Sequence, residues 1–406
     1  MVANYSVEAI KVSIAKEKRQ LIIGWPNEQQ VAFPYIWLRH AQFMPFMGRP
    51  GQIDPREHLL PEDPLDLVIE SAIVDAEELI INWAHDGATT RHELGLLFNS
   101  SLVERSRRQR SHRPPLWQAE DAGRFHWFEA TDLDQASSRL EVFAHLRNYG
   151  IALVKDLPTK AGTLEVVAKH FGPVRQTHFG SLFDIRSRPQ DKLGTGQSIG
   201  ATASNSQSPH TDEGWRHGPP GINLFHCLKS HPDGGGESIF VDGISAAEAL
   251  RESDPQAFEL LTSVPLLFVA ERNPEERFRS RGHVIALDHE GRIRGIRITD
   301  RTLPALDLPV DLIEPAYRAI GRFYQLLLAT ERVFERRLNP GELVIFDNHR
   351  VLHGRRAFDP AAGERWLQQL SVDREEFQSL FRQLAEAQGR DDLSQWDQDA
   401  GSLSQQ

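Results

Sequence analysis

A single cysteine, Cys227, occurs among the 406 residues. It leaves no partner for an intrachain disulfide and no thiolate cluster for zinc, so no structural zinc is expected. A chain without disulfides sits most comfortably in a reducing compartment, and a cytoplasmic location is expected. The opening MVANYSVEAIKVSIAKEKRQ lacks the apolar core of a signal peptide. No apolar run approaches the about 20 residues that cross a bilayer, which excludes a membrane role. Basic charge is also scarce: 46 Lys and Arg face 57 Asp and Glu, a formal charge of −11. That balance gives no electrostatic footprint for nucleic acid, and a small-molecule partner is expected instead. Regular strand–helix–strand alternation and internal repeats are absent too, which argues against a doubly wound parallel sheet or a solenoid.

The composition that remains is that of a globular chain, 40% hydrophobic and 25% charged. VEAIKVSIA and RQLIIGW flank the polar KEK and predict a hairpin. VAFPYIWLR reads as a further strand, DLVIESAIV and EELIINWAHDG as a second alternating pair, and residues 94–103 as a short helix. Seven prolines from Pro26 to Pro64 argue against long helices there. ERSRRQRSHRPP, basic and closed by two prolines, reads as a linker rather than a phosphate-binding arm. The boundary therefore falls within residues 104–118, dividing a small β-rich domain at 1–110 from a catalytic domain at 119–396.

In the second region SSRLEVFAHLRNYG predicts a helix with a serine cap before it and Gly150 after it. Further helices are expected in TLEVVAKHFG, in PAYRAIGRFYQLLLATERVF (the longest) and in EEFQSLFRQLAEAQ. IALVKDLP, GINLFHCL, ESIFVDG, ELVIFDN and RWLQQLSVD read as strands. Strands at the centre with helices at the margins indicate a mainly β fold with flanking helices, a jelly-roll or cupin-like double sheet.

SPHTDEG, residues 208–214, carries the strongest chemical signal. Residues two apart on a strand share a face, so His210 and Asp212 project together. With 17 histidines in the chain, one H-x-D triplet is expected by chance, and a surface pair remains open on this motif alone. FDNHRVLHGRRAF, residues 346–358, changes the balance by supplying a third ligand. His353 is favoured, since a strand, a turn and His-Gly would place it at a barrel mouth. Two histidines and one carboxylate with open positions form the donor set of non-haem Fe(II) oxygenases. Arg365, twelve residues on, has the fork geometry to grip the far carboxylate of a dicarboxylate. His349 reads as a supporting or surface residue, and Arg355 and Arg356 as turn and surface charges.

The H-T-D triplet, GGGES, DNHRVLHGR and the later arginine resemble the TauD/TfdA superfamily. WLRH and INWAHDG resemble signatures of its branch of γ-butyrobetaine and trimethyllysine dioxygenases. That resemblance implies a double-stranded β-helix catalytic domain using Fe(II), 2-oxoglutarate and O2 on a small molecule, in a homodimer. It implies His210, Asp212 and His353 as iron ligands, Arg365 on the far carboxylate of 2-oxoglutarate, and a Ser238 hydroxyl against the same cosubstrate. An intact Asp212 implies hydroxylation rather than halogenation. Two departures stand out. The segment after Trp37-Leu38-Arg39 has no cysteine for the family's N-terminal zinc, and Phe46, Met44 and Met47 are candidates to fill that space. Phe179 and Phe183 match two positions of the family's aromatic cage, whereas Thr202, Glu213 and Ser371 stand where aromatics are usual, with Trp215 as a replacement wall. Asp184 and Glu213 would suit an amine, and Arg186, Arg216 and His217 an acid. Residues 187–207 read as a loop over the site. The expected activity is hydroxylation of a small zwitterionic or amine/carboxylate metabolite, giving succinate and CO2. A non-catalytic metal-binding barrel and a zinc hydrolase are the alternatives.

Overall fold

Alternating apolar residues set up the first elements of the computed structural model, which describes residues 9–26, 30–42, 66–100, 102–103, 113–178, 180–187, 205–232, 234–271 and 276–394. Phe179, Thr202, Met44, Phe46, Met47, the stretch 104–112 and most of the 187–207 loop lie outside them. The chain divides into two compact units between residues 112 and 113. No helix of the described residues is long and apolar enough to cross a membrane.

In the first unit β1 (Lys11–Ala15) and β2 (Gln20–Gly24) form the expected hairpin around KEK, and β3 (Val31–Pro34) completes a three-stranded antiparallel sheet. VAFPYIWLR is not one strand. It stops at Pro34, and Tyr35–Ala41 is helical, with Tyr35, Leu38 and Ala41 buried at helical spacing. A second such sheet comprises β4 (Ile69–Asp75), β5 (Glu78–Trp83) and β6 (Thr89–Glu93). Trp25, Phe33, Leu38, Trp83 and Leu97 share one apolar cluster, which gives this unit its own core.

The second unit is a two-layer β fold. One sheet has six strands, introduced in chain order as β7 (Trp127–Glu129), β8 (Ile151–Lys155), β9 (Phe183–Ser187), β11 (Ile222–Lys229), β18 (Leu343–Asp347) and β20 (Arg365–Val372). Their spatial order is β7-β8-β18-β11-β20-β9. The other contains β10 (Gln207–His210), β12 (Ser238–Asp242), β17 (Phe334–Arg336) and β19 (Val351–Arg355), in the order β10-β19-β12-β17. Seven of the eight residues of INLFHCLK are buried because β11 lies between β18 and β20 and is covered on both faces. Phe225, Phe346 and Phe240 meet between the layers, with ring centroids 5.1 and 5.7 Å apart. This is the mainly β, double-sheet architecture that the sequence predicts.

Helices 136–149 and 374–387 bring together Phe143, Phe377 and Phe381, and Phe171 joins them. Gly150 ends the first helix in the left-handed conformation, as expected. Its N-cap, however, is Gln135, and the serines lie inside the first turn without a side-chain cap. The longest described helix runs over Val310–Leu327 rather than 315–334. It ends early because Phe334 is drawn into β17, where it pairs with Phe240 and packs on Phe125. Between β12 and β17, helices 243–253, 255–263 and 310–327 build a satellite core with two short antiparallel pairs, β13 (Leu266–Ala270) with β14 (Phe278–Gly282) and β15 (Ile285–Leu287) with β16 (Ile293–Ile296).

Two histidines, one buried and one half-buried, should make this unit acid-sensitive. His226 is fully buried with no partner on either ring nitrogen among the described residues, and His145 is wedged among Phe125, Phe128 and Tyr149. Burial lowers both pKa values to about 4. The unfolded chain takes up these protons near pH 6.5 and the folded chain only near pH 4, so stability is full above 6.5 and declines across that window. At pH 5 each histidine accounts for about 2 kcal/mol at most. Thermal midpoints of the metal-free protein should therefore fall less steeply from pH 7 to pH 5 in His226→Leu than in wild type. Parallel curves would refute this role.

Candidate metal centre

His210 and His353 face each other because β10 and β19 are antiparallel and these two residues are direct Cα partners. Gly354 makes the pairing possible: a Cβ there would lie 2.4 Å from the Gln207 carbonyl, so only glycine lets β10 close on β19. His353 is thus the third residue of β19, which follows the strand and the turn at 348–350 in the order that the sequence suggested. Asp212 arrives by a different route from the one expected. β10 ends at His210, and the carboxylate comes from the turn that follows, pinned by Thr211 N–H and Oγ1 to the Ile298 carbonyl.

Both histidine Nε2 atoms lie 3.6 Å from Asp212 Oδ1, and one donor atom from each residue falls within 4.8 Å of the others. His210 Nδ1 is 2.9 Å from the Ser208 carbonyl, which puts the proton there and leaves Nε2 as the lone pair. Phe225 and Phe346 press on the His353 ring. Burial lowers its pKa to about 3, with Asp212 opposing the shift. It is therefore neutral and ready to donate at pH 7. Burial works against a charge on Asp212, but His353, His210 and Gln369 together hold its carboxyl well below the ordinary range. Its Oδ2 accepts from Asn223 Nδ2 (3.0 Å) and Gln369 Nε2 (2.8 Å), leaving Oδ1 toward the histidines. Ser371 Oγ donates to Asn223 Oδ1 and so fixes which way that amide faces. Asn348, buried, accepts from Asp212 N–H and donates to the Asp212 and Pro220 carbonyls. Two imidazoles and one ionised carboxylate on a single face fit the donor set for Fe(II).

The cavity beside this cluster is lined along β20 by Arg365, Leu367, Gln369 and Ser371, every second residue, and by Leu370 as well. Arg365 is buried, burial lowers its pKa to about 10, and no carboxylate pairs with it among the described residues. Gly236 makes its room: it has φ +70°, and a Cβ would sit 3.2 Å from Arg365 Nε. Ser238 opens β12, buried and lining the same cavity, with Arg355 as its Cα partner. Arg355 corrects the sequence reading. It is 4% exposed, lies over Phe358 and donates to the Asn205 carbonyl, because β19 continues through it and the two-residue repeat turns it the same way as His353. Arg356 does lie at the surface, paired with Glu335. Two buried guanidiniums beside a hydroxyl make an inner anion pocket that fits a dicarboxylate such as 2-oxoglutarate.

The other anticipated residues separate. Phe183 and Ile185 line the cavity from β9. Asp184 and Arg186 turn to the opposite face, where Asp184 accepts from Trp366 and Gln368 and Arg186 pairs with Glu364. The strand pleat therefore removes both from the substrate side. Glu213 lines the cavity at φ +51° and is held by Arg216. Its pKa is raised by burial against that pairing. Arg216 Nη2 also lies 2.9 Å from His178 Nδ1. Trp215 is 8% exposed and joins the satellite core while lining the cavity. His217 is exposed. His349 is half-buried, Nε2 is 3.3 Å from the Pro219 carbonyl, and burial lowers its pKa to about 4; it braces the turn after Asp212.

Gln369 is the most informative residue that the sequence reading missed. Gln369→Leu would free one oxygen contact of Asp212, and loss of such a supporting partner typically weakens metal by about 10–100-fold. Iron titration of the variant, with intact circular dichroism, should read a loss in that range. An unchanged affinity would contradict the part given to Gln369.

Comparison with known proteins gives a consistent picture. The family model described as taurine catabolism dioxygenase TauD, TfdA family, matches residues 109–371. A γ-butyrobetaine dioxygenase of Pseudomonas sp. (strain AK-1) is 34% identical over 370 residues, 88% of this chain and 91% of that one. The Homo sapiens γ-butyrobetaine dioxygenase is 31% identical over 217 residues, 53% and 54% of the two chains. The Bos taurus mitochondrial trimethyllysine dioxygenase is 29% identical over 350 residues, 80% and 77%.

Proposed function

Since the chain belongs to the TauD/TfdA family, 2-oxoglutarate-dependent non-haem iron dioxygenases, we propose that it hydroxylates a small zwitterion whose amine carries N–H bonds. In this reading His210, Asp212 and His353 hold Fe(II), while Arg365 and Ser238 hold 2-oxoglutarate. Iron and 2-oxoglutarate, when bound, supply the chemistry that inserts one atom of O2 into a C–H bond and leaves succinate and CO2. The chain's own work is placement. Asn223 and Gln369 keep Oδ1 of Asp212 turned to the imidazoles. Arg365 offers a charged fork that no carboxylate of the described residues satisfies, and the surrounding apolar layer limits competing water.

The character of the amine rests on one observation: the Glu213 carboxyl lines the cavity beside the Asp212 turn. Hydrogen-bond acceptors suit an N–H-bearing amine, whereas a quaternary ammonium has no N–H and is held best by aromatic faces. Phe183 and Trp215 are the aromatics anticipated at the wall that the described residues include, and Ser371 adds a hydroxyl there.

Succinate formation by Fe(II)-loaded protein across trimethylammonium carboxylates, their desmethyl analogues and plain amino acids tests this. Primary or secondary amines are expected to stimulate at least as strongly as quaternary ones. Stimulation confined to quaternary amines would overturn the amine assignment, and the absence of iron-dependent succinate altogether would overturn the activity.

A further inference from the structure

Four arginines line the cavity: Arg175, Arg301, Arg355 and Arg365. Arg175 is engaged by Asp373 at 2.5 Å and by the Gly218 carbonyl. Arg355 and Arg365 form the inner pocket already described. Arg301 differs from all three. It is exposed at the cavity mouth, and among the described residues no hydrogen bond or ion pair engages its guanidinium. Asp300 precedes it in the chain, yet among the described residues the two form no ion pair, which is unusual for an arginine in a chain of net charge −11. Its charge nevertheless reaches inward, contributing to the lowered pKa values of His353 and Arg355.

The adjoining residue supplies a second, independent sign. Thr302 is 4% exposed and lines the same cavity, yet among the described residues its Oγ1 has no hydrogen-bond partner. A buried hydroxyl without a partner costs free energy unless something completes it. The segment that carries both groups is firmly fixed. Ile298 is tied to Thr211 through its carbonyl and its N–H, and the Thr302 carbonyl accepts from Val269 N–H. The pair is therefore indexed to the turn that carries Asp212.

We propose that Arg301 and Thr302 form an outer anion subsite that holds the carboxylate, or an equivalent phosphonate, of the substrate. The guanidinium donates to the oxyanion from the mouth side and the Thr302 hydroxyl from the wall. This deepens the zwitterion reading and rests on it: the inner arginines take the cosubstrate's charge, the outer pair takes the substrate's acid end, and Glu213 lies on the amine's side. A single arginine with a neutral hydroxyl sets a preference for one acid group rather than two.

Isothermal titration of Fe(II)- and 2-oxoglutarate-loaded protein under anaerobic conditions tests this. The probes are γ-butyrobetaine, 4-aminobutyrate, 3-aminopropylphosphonate and the carboxamides of the first two. Wild type is expected to bind its best carboxylate at least tenfold more tightly than the matching carboxamide. Arg301→Gln should bring the two within twofold, Arg301→Lys should fall between, and Thr302→Val should weaken the acid threefold or more without weakening the amide. Arg318→Gln, which removes a positive charge from an exposed helix position paired with Glu314, controls for net charge and should keep the wild-type preference. An acid preference that persists in Arg301→Gln overturns the proposal, as does a wild type that binds none of the acids. If the preference depends on Arg301 but no compound yields succinate, the subsite stands and the hydroxylase reading falls.

Discussion

His353→Ala should reduce substrate-stimulated succinate formation by roughly three orders of magnitude, about 4 kcal/mol of transition-state stabilisation. The imidazole is one of only two neutral nitrogen donors in the cluster. Phe225 and Phe346 hold it rigidly on β19, and it faces Asp212 Oδ1 across 3.6 Å. Alanine leaves His210 and Asp212, a pair too poor in donors to retain Fe(II) at ordinary concentrations. The cavity it creates is small and lies beside solvent-accessible space, so the fold should survive. Iron content by elemental analysis, succinate by coupled assay and the circular dichroism spectrum separate these effects. A variant with native spectrum and more than a tenth of wild-type turnover would remove His353 from the centre.

The second large effect is expected at Arg365. Arg365→Met keeps the length and apolar stem of the side chain but deletes the buried fork. Removing one partner of a buried charged contact costs on the order of 2–5 kcal/mol, so 2-oxoglutarate affinity should fall by roughly 100-fold or more. Arg365→Lys should recover little, because an ammonium cannot make the two parallel hydrogen bonds of a guanidinium. Arg355 gives the comparison that locates the effect. If Arg355→Met raised the KM for 2-oxoglutarate a hundredfold while Arg365→Met left it within threefold, the assignments of the two arginines would have to be exchanged.

Much of this was legible because strands repeat every two residues. Arg365, Leu367, Gln369 and Ser371 fall on one face by simple alternation, and the same rule places Phe183 in the cavity and Asp184 outside it. Applied two residues beyond His353 on β19, the rule would also have turned Arg355 inward; reading Arg355 and Arg356 as turn and surface charges concealed it. The double sheet itself followed from apolar runs such as INLFHCL and ELVIF, both covered on two faces. Other features had no local signal. Asp212 joins the histidines through a turn whose shape depends on Thr211 meeting Ile298, 87 residues away. Asn348 reaches Asp212 across 136 positions. A hydrogen bond at that separation leaves no periodicity to read. The helical Tyr35–Ala41 escaped because VAFPYIWLR is rich in strand-forming side chains, and burial of every third residue overrode that preference.

The pairing of β10 with β19 has a mechanical side. β10 is the outermost strand of its sheet, only four residues long, and its register slips between Gln207 and His210. An edge so short is prone to fray. Yet it carries His210, one of the proposed iron ligands, while its neighbour carries another, His353, 143 positions along the chain. A metal bound to both would act as a removable cross-link, closing a long loop much as a disulfide does in proteins that have two cysteines to spare. In such a chain iron would fasten the edge of the sheet as well as equip the centre for chemistry, and backbone amides of residues 207–210 should exchange with solvent more slowly when it is present.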